Sequence, residues 1–388
     1  MTQATEEHPV STIDPDRAAG VDWDAVVVGA GLAGSIAARG LARSGRRVLL
    51  VERTAFPRPK VCGCCLGPLG RATLESVDLG HVLDACRARP LESVQLHVGR
   101  RPAHVPLRGV VGVSREALDQ HLAREAVASG TELLLEARAE PRPDGTVGLQ
   151  VDGRRFELAA RTVLHAGGLR AHESEGPGHG EDVMVGFGAL VPTPGRLRGA
   201  DRVEMVLDRD GYVGVAPLDD GRMTVASALR TEAIKRSGGP RSVVKRLLHG
   251  AGLGELVDET TRFTGVPALR RRRTLVQEDR LLAIGDAASF VEPITGEGMS
   301  WALASGAAVV PCAEAVIAHG PGVDHWTTAW RRLMRRRHLR CSIVGSCIRR
   351  PALVRAALAA SSILPVMRAP ILSGLLGGRE SMPEGEPA

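Results

Sequence analysis

The sequence predicts an α/β fold, in which a Rossmann-like dinucleotide-binding domain carries an inserted β-rich domain and is followed by a C-terminal helical cap. Two observations predict the first part: apolar runs at 24–28 and 281–284 each lead directly into a glycine-rich turn. A third observation predicts the insertion, because short alternating segments between these runs are typical of antiparallel strands.

The composition is that of a globular protein. The chain has 388 residues, of which 44% are hydrophobic and 24% are charged, and this argues against a disordered or fibrous chain. Its 50 basic and 44 acidic residues give a net charge of +6. With 5 Phe, 4 Trp and 1 Tyr it has few rings on which bases could stack, so no nucleic-acid partner is expected.

The sequence favours a cytoplasmic protein. Residues 1–20 are polar and predict a disordered leader rather than a signal peptide. The apolar stretches 301–318 and 352–374 are interrupted by proline and charged residues, so neither is expected to span a membrane. The seven cysteines do not include the pair of C-x-x-C motifs that a zinc site would use, so no metal site is predicted. Cysteines without such a pattern fit a protein of a reducing compartment.

The first glycine-rich turn has the spacing of a dinucleotide site. It reads G-x-G-x-x-G and is followed by a helical segment, a strand at 47–51 and then Glu52. Gly29 permits the tight turn, Gly31 lets the backbone approach a pyrophosphate at the helix N-terminus, and Gly34 allows the helix to pack closely on the strand. Glu52 is the expected acceptor for a ribose hydroxyl.

The remaining elements follow from periodicity and from turn and cap residues. The predicted helices are 114–129, 240–256, 297–318 and 324–376; the predicted strands are a hairpin over 91–108, strands at 131–138, 146–151, 154–159 and 162–166, a meander over 201–230, and strands at 262–268 and 273–284. The Gly/Pro-rich stretch 170–200 predicts a loop where the chain crosses between domains.

The second glycine-rich turn points to a flavin. Asp286 can accept a hydrogen bond from a ribityl chain, and the amides of 296–299 can face the pyrimidine end of the ring. Together, G-x-G-x-x-G and G-D-A-A…P-x-T-G-E-G resemble FAD-dependent oxidoreductases of the p-hydroxybenzoate hydroxylase fold. The resemblance covers about 22–320 and is closest to the geranylgeranyl-reductase-related branch.

This resemblance implies bound FAD and a division of the chain. The FAD-binding domain would comprise 21–80, 110–170 and 275–320, the substrate domain 81–109 and 171–274, and the C-terminal helical region 321–388. The implied cofactor-binding residues are Gly29, Gly31, Gly34, Glu52, Arg53, Lys60, Cys62, Arg115, Gly167, Gly285, Asp286, Pro293, Gly296, Gly298 and Met299.

Three further segments are similar to parts of that branch. Residues 59–63 match K-x-C-G, an element that lies beside the isoalloxazine, and 114–122 match R-x-x-L-D-x-x-L, whose Arg115 would contact the cofactor. The strand 211–217 is similar to Y-x-W-x-F-P on the substrate side. Cys62 and Tyr212 are therefore the candidate catalytic residues. The alternatives are a small residue on a crowded loop for Cys62, an exposed helix-start residue for Arg115 and a core aromatic for Tyr212.

The departures from the family pattern are informative. Residues 166–168 read Ala-Gly-Gly where hydroxylases carry an Asp that takes part in handling nicotinamide, so we expect slow flavin reduction by NAD(P)H alone. NAD(P)H remains a candidate external reductant, and a separate flavin reductase is the alternative. Gly214 and Ala216 replace the bulky Trp and Phe, which leaves room for a differently shaped substrate. The halogenase signature W-x-W-x-I-P is absent.

We expect an FAD-dependent oxidoreductase with non-covalent FAD and a hydrophobic small-molecule substrate. We favour a monooxygenase that acts on an apolar aromatic or polyketide-like compound, because the wider family supports this reaction. The alternative, which the closer motifs support, is a reductase of a C=C bond in a prenyl or polyene chain. A third hypothesis is an FAD-binding escort protein without turnover.

Two arginine-rich segments carry separate hypotheses. The run 270–273 is expected to be a solvated strand edge. The stretch 331–350 holds eight arginines among apolar residues and predicts a basic amphipathic helix. Such a helix would either touch an anionic membrane from the cytoplasmic side or form part of a packed cap.

Overall fold

The computed structural model describes residues 8–98, 102–169, 184–218, 220–269, 272–273, 276–291, 294–321, 324–348, 350 and 354. Its helices are α1 Pro15–Ala19, α2 Leu32–Arg43, α3 Pro68–Ser76, α4 His81–Ala85, α5 Arg115–Ala128, α6 Thr231–Arg236, α7 Pro240–Gly250, α8 Gly298–Ala308, α9 Val310–His319 and α10 His325–Ile348.

The described strands form two large sheets and one small one. They are β1 Trp23–Val28, β2 Val48–Val51, β3 Cys65–Leu66, β4 Arg89–His97, β5 Ala103–Gly112, β6 Glu132–Leu134, β7 Arg138–Pro141, β8 Thr146–Val151, β9 Arg154–His165, β10 Met184–Pro192, β11 Arg202–Asp208, β12 Gly211–Pro217, β13 Arg222–Arg230, β14 Thr264–Ala268, β15 Arg272–Arg273, β16 Gln277–Glu278, β17 Leu281–Ala283 and β18 Ser289–Phe290.

The first sheet has the order β16-β17-β9-β1-β2-β6, with β7 and β8 attached to the side of β9. Strand β1 runs parallel to both β2 and β9, with Val26 opposite Leu49 and Val163. The strands at its centre are buried on both faces, which explains why 25–28 and 48–51 read as continuous apolar runs. The carboxyl ends of β1, β9 and β17 lie side by side, and both glycine-rich turns follow from this edge.

The second sheet has the order β14-β10-β13-β12-β11-β4-β5-β3 and is antiparallel except where β11 runs beside β4. One face packs on α7, with Val213 and Val215 in the same apolar cluster as Val243 and Leu247. The other face carries Tyr212. Alternation along β12 therefore separates residues that support the sheet from residues that face the site.

Helices α8 and α9 follow one another over 298–319 and pack against the first sheet and α2. A Cβ on Gly306 would lie 2.4 Å from the Ala33 carbonyl oxygen, so α8 approaches α2 at backbone distance. By length and composition alone this segment could cross a membrane, but 56% of its apolar window is buried within the protein. A buried core helix accounts for this apolar character.

The structure differs from the expected disordered leader over 8–20. Thr12 donates its N–H to the Leu133 carbonyl at 2.8 Å, and its hydroxyl accepts the Leu133 N–H at 2.8 Å. Helix α1 follows, and the Trp23 indole donates to the Ala18 carbonyl at 2.9 Å. The segment is ordered because it satisfies the backbone groups of edge strand β6, which its polar composition does not reveal.

Other boundaries differ for local reasons. The two strands predicted at 154–159 and 162–166 are one strand, β9, which pairs with β8 at its start and with β1 at its end. The strand predicted at 131–138 is broken into β6 and β7 at Glu136, whose φ is +56°. The helix predicted over 324–376 is observed as α10, and most of its remainder lies outside the described residues, as do the side chains of 270–273.

Candidate active site

The first glycine-rich turn has the backbone geometry that its sequence predicts. Gly29 has φ +108°, and a Cβ there would lie 2.5 Å from the Ala166 carbonyl oxygen. A Cβ on Gly34 would lie 1.9 Å from the Gly29 oxygen, which leaves no room for any side chain. Gly31 differs, because the nearest atom to its Cβ position is Arg58 Nη2 at 3.6 Å. The space beside Gly31 is therefore open.

Glu52 lies at the end of β2 with its carboxylate turned back to the glycine turn. It is 7% exposed, and its Oε2 accepts the Ala30 N–H at 3.0 Å. The Thr54 hydroxyl donates to Oε1 at 3.1 Å, and Arg58 Nη2 lies 3.5 Å from Oε2. These contacts fix the carboxylate at the position expected for a ribose acceptor. The neighbouring Arg53 is exposed.

The second turn adjoins the first. Gly285 has φ +59°, its N–H donates to the Ser305 hydroxyl at 3.0 Å, and its Cβ position lies 3.3 Å from Ala33 Cβ. Asp286 follows and is partly buried. Gly296 has φ +73°, which L side chains rarely adopt. The structure thus brings together two motifs that are more than 250 residues apart in the sequence.

Two predicted residues of this region have other surroundings, and a third is not described. Met299 follows Gly298 at the start of α8, and its side chain is buried in the core beside Leu32, so only its backbone is available to a ligand. Pro293 lies outside the described residues. Lys60 is exposed and its Nζ lies 3.4 Å from the Cβ position of Gly168, next to Gly167.

These features fit FAD. The first turn of α2 has no side-chain cap and no acidic residue, so its amides and its positive dipole end are available to a pyrophosphate beside Gly31. Glu52 would hold the ribose, and Asp286 the ribityl chain. The backbone from Gly296 to Gly298 would lie at the pyrimidine end of the flavin.

A second part of the site is a turn over Cys62–Cys65, which we call the cysteine turn. Cys64 has φ +55°, uncommon for a residue with a side chain, and its N–H donates to the Cys62 sulfur at 3.3 Å. The Thr224 hydroxyl donates to the Cys62 carbonyl at 2.8 Å and ties the turn to β13. Cys65 Cβ lies 3.7 Å from the Cβ position of Gly296, so the turn borders the loop over 294–297 before α8, which we call the flavin-end loop.

The three thiols of this turn differ in acidity. The hydrogen bond from the Cys64 thiol and the positive charge of Arg115 outweigh burial and lower the pKa of Cys62 to about 6. That same hydrogen bond, together with burial, raises the pKa of Cys64. Burial and the nearby Cys62 raise the pKa of Cys65 to about 12. Cys62 is therefore the thiolate of the set.

The positive charge near Cys62 is that of Arg115, and a buried network of ion pairs fixes its position. The Arg115 guanidinium donates to both oxygens of Asp119, from Nε at 3.0 Å and from Nη2 at 2.9 Å. Arg58 Nη2 lies 3.1 Å from Asp119, whose side chain is fully buried. Burial by itself would raise the pKa of Asp119, but the guanidinium groups of Arg115 and Arg58 outweigh it and lower that pKa. Arg115 is thus fixed in place and is not an exposed helix-start residue.

A cavity of about 150 Å³ opens beside the cysteine turn. Its walls come from the cysteine turn, the start of α5, β10 and β13, and they include Lys60, Cys62, Arg115, Gly188 and Thr224. The strands that line it belong to the second sheet, and the cysteine turn and the start of α5 close the other side. Cys62 and Arg115 face this space together, which places the acidic thiol and its positive partner on one wall.

Tyr212 lies further along the second sheet. It is 8% exposed and packs in an apolar cluster with Ile294, Leu207 and Val344 of α10. It therefore links the second sheet to the flavin-end loop. The space expected beside Gly214 is narrowed by Met205, whose Cε lies 3.4 Å from the Gly214 Cβ position.

Sequence reasoning missed four residues of the site. Asp119 and Arg58 hold Arg115 in place, and Thr224 holds the cysteine turn. Met205 occupies the space beside Gly214. A signal existed for Asp119, because an acid four residues after Arg115 on a helix faces it. Arg58, Thr224 and Met205 gave no local signal, because their partners are distant in the chain.

The comparisons with known proteins agree with this site. The family model of the FAD binding domain matches residues 22–310. The chain is 30% identical to menaquinone reductase of Mycobacterium tuberculosis, over 73% of this chain and 74% of that one. It is 32% identical to digeranylgeranylglycerophospholipid reductase 1 of Methanopyrus kandleri, over 74% of this chain and 79% of that one.

A solved structure shares the fold. The geranylgeranyl bacteriochlorophyll reductase-like protein of Thermoplasma acidophilum superimposes with a TM-score of 0.72 at 19% identity, covering 91% of this chain and 99% of that one. Flavin-dependent monooxygenases and halogenases of known structure have the fold as well, also below 25% identity. The chain therefore belongs to the FAD binding domain family and is an FAD-dependent oxidoreductase of the p-hydroxybenzoate hydroxylase fold.

Proposed function

We propose that this enzyme reduces a C=C bond in an isoprenoid-like chain. The observation that carries the proposal is the cysteine turn, which places a thiol of pKa about 6 on the wall of a cavity beside the FAD motifs. Reduction of an isolated C=C bond needs a proton donor with a pKa near the working pH, and Cys62 meets this requirement. The curated relatives reported above are named as reductases, which supports the same reaction.

The reaction requires two hydrogens from different sources. Reduced FAD, when bound, supplies a hydride to one carbon. Cys62 donates its thiol proton to the other carbon, so that the π bond is replaced by two C–H bonds and the sulfur becomes a thiolate. Arg115 and the Cys64 N–H stabilise that thiolate. Cys62 then takes a proton from water that enters through the cavity, and an external reductant restores the flavin.

This role fixes the sign of the pH dependence. Cys62 donates only when it is protonated, and at pH 7 a group of pKa about 6 is protonated in about one molecule in ten. The rate of reduction should therefore fall as the pH rises through about 6. A residue that acted as a base would give the opposite slope.

Product mass tests the reaction. The purified enzyme is given chemically reduced flavin and a polyprenyl substrate in D₂O, first without oxygen and then in air. We expect a gain of two hydrogens, both recovered as deuterium because the transferable hydrogen of reduced flavin and the thiol proton each exchange with solvent, and Cys62→Ser should lose most of the rate while it retains FAD. A gain of one oxygen in air would overturn the proposal in favour of the monooxygenase, the reaction of many proteins with this fold.

The electron supply is a further part of the proposal. The Ala-Gly-Gly segment at 166–168 has no acid to engage nicotinamide, and this favours a separate flavin reductase over direct use of NAD(P)H. Anaerobic stopped-flow with NADH and with NADPH, in the absence of substrate, should show slow bleaching of the flavin. Bleaching at ordinary turnover rates, about 10 per second or faster, would show direct reduction.

We also propose a cytoplasmic location and a hydrophobic small-molecule substrate. None of the seven cysteines, all of which lie among the described residues, forms a disulfide, which suits a reducing compartment. The apolar cluster around Tyr212 suits an apolar chain, since polar contacts there would be few.

A further inference from the structure

Helix α10 has two faces of different character. Its inner face is buried and carries Trp330, Met334, His338, Cys341 and Val344. Its outer face, which we call the basic face, is exposed and comprises Arg331, Arg332, Arg335, Arg336, Leu339, Arg340, Ile343, Ser346 and Cys347. The sequence of α10 contains no Asp or Glu, so the helix itself offers its arginines no carboxylate.

The apolar members of the basic face are unusual for a solvated helix. Leu339 is 59% exposed and Ile343 is 56% exposed. In the part of the chain that the structure describes, the only other large hydrophobic residue so exposed is Val10. Leu339 and Ile343 lie one helical turn apart and therefore form one patch at the C-terminal half of the basic face.

The N-terminal half of this face carries Arg332, Arg335 and Arg336. Within the described ranges, no ion pair joins Arg332, Arg335 or Arg336 to a carboxylate. Exposed arginines elsewhere do have such pairs, for example Arg142 with Glu157 at 2.7 Å. A positive surface beside exposed aliphatic side chains is typical of helices that lie at a membrane interface.

The inner face of α10 reaches the site. Cys341 Sγ lies 3.5 Å from the Thr295 hydroxyl on the flavin-end loop. Val344 packs in the cluster that contains Tyr212 and Ile294. One helix therefore connects an exposed basic surface with the substrate side of the site.

We propose that the basic face docks on an anionic lipid bilayer. The arginines would bind lipid phosphate groups, and Leu339 and Ile343 would enter the acyl boundary. Docking in this orientation would bring a membrane-dissolved substrate to the side of the site that Tyr212 borders. This last step rests on the proposed function, whereas the docking itself does not.

Vesicle binding tests the docking. The full-length holoenzyme is sedimented with vesicles of phosphatidylglycerol and phosphatidylcholine in equal parts, and with phosphatidylcholine alone. We expect binding to the anionic vesicles that weakens markedly in 0.5 M salt. The triple variant R332E/R335E/R336E should bind at least about tenfold more weakly, because three phosphate contacts become repulsive.

Two matched controls separate this face from general charge and general hydrophobicity. R108E/R138E/R155E changes the net charge equally at exposed sites outside α10 and should reduce binding less than about threefold. L339S/I343S should weaken binding in high salt, where the apolar contact dominates, whereas V10S should not. Circular dichroism and FAD content show that each variant is folded.

Absence of wild-type binding to anionic vesicles would overturn the docking proposal, and so would equal losses in the α10 and control charge variants. Activity on a short, water-soluble prenyl substrate is measured in parallel. Normal activity of R332E/R335E/R336E on that substrate, with lost vesicle binding, supports the docking. No reduction of the substrate by the wild type would count against the proposed function alone, since vesicle binding is measured without turnover.

Discussion

The glycine turn over 29–34 and the cysteine turn over 62–65 both belong to the site, but they differ in how far away in the chain their key contacts lie. The tightest contact of the glycine turn is between backbone atoms that are close in the chain, because a Cβ on Gly34 would lie 1.9 Å from the Gly29 oxygen. The cysteine turn takes its chemistry from distant residues, Arg115, Asp119 and Thr224, which are at least 50 residues away in the chain. A site that depends on local backbone can be read from sequence, and one that depends on assembled charges cannot.

The largest effect should come from the glycine turn itself. Gly34→Ala places a methyl group against the Gly29 carbonyl and should lower the free energy of unfolding by about 3 kcal/mol or more. Gly250→Ala is the control, since its Cβ position in α7 is open, and it should be nearly neutral. Chemical denaturation of the two variants checks this. Equal stabilities would mean that the turn is not as tight as described.

Gly31→Val separates the role of the ligand from that of the fold. Its Cβ position is open, so the stability of the apoprotein should change little, while the side chain fills the space that the pyrophosphate needs. We expect loss of FAD by absorbance with an unchanged midpoint of unfolding for the apoprotein. Retention of FAD by this variant would contradict the placement of the pyrophosphate beside Gly31.

The buried ion network should show an effect on stability of comparable size. Asp119→Asn removes the carboxylate that Arg115 and Arg58 share, and breaking a buried pair in this way costs about 3–5 kcal/mol. The matched control is Asp78→Asn, which breaks an exposed pair with Arg43 and should cost less than about 1 kcal/mol. Similar losses for the two variants would show that the network is no more than a surface pair.

A smaller effect is expected at the second glycine-rich turn. If Asp286 accepts a hydrogen bond from the ribityl chain, as its motif predicts, Asp286→Ala removes a charge-assisted bond of about 1.5–3 kcal/mol, so FAD should bind ten to a hundred times more weakly. Glu278→Ala, an exposed acid on β16, is the control. Titration of the apoproteins with FAD measures both. An unchanged affinity in Asp286→Ala would mean that the flavin lies elsewhere.

The features that the sequence predicts are those that depend on residues close together in the chain. The β-α-β unit, the strand that ends in Gly285 and the antiparallel strands are all encoded by short-range patterns, and the structure confirms the α/β fold. The ordered segment 8–20 was not predicted, because its stabilising contacts are backbone bonds to β6, which leave no trace in composition. The K-x-C-G motif points to Cys62 as a candidate, but the acidity of its thiol depends on Arg115, which Asp119 and Arg58 hold in place.

The most direct test of the central claim is the pH dependence of Cys62 alkylation in the folded holoenzyme. Iodoacetamide is applied for short times between pH 4.5 and 9.5, and peptide mass spectrometry follows Cys62 with the exposed Cys347 as internal reference. The structure leads us to expect a half-maximal rate for Cys62 near pH 6, moving to a higher pH in Arg115→Met. A rate that rises through pH 8.5, as for an ordinary thiol, would contradict the account.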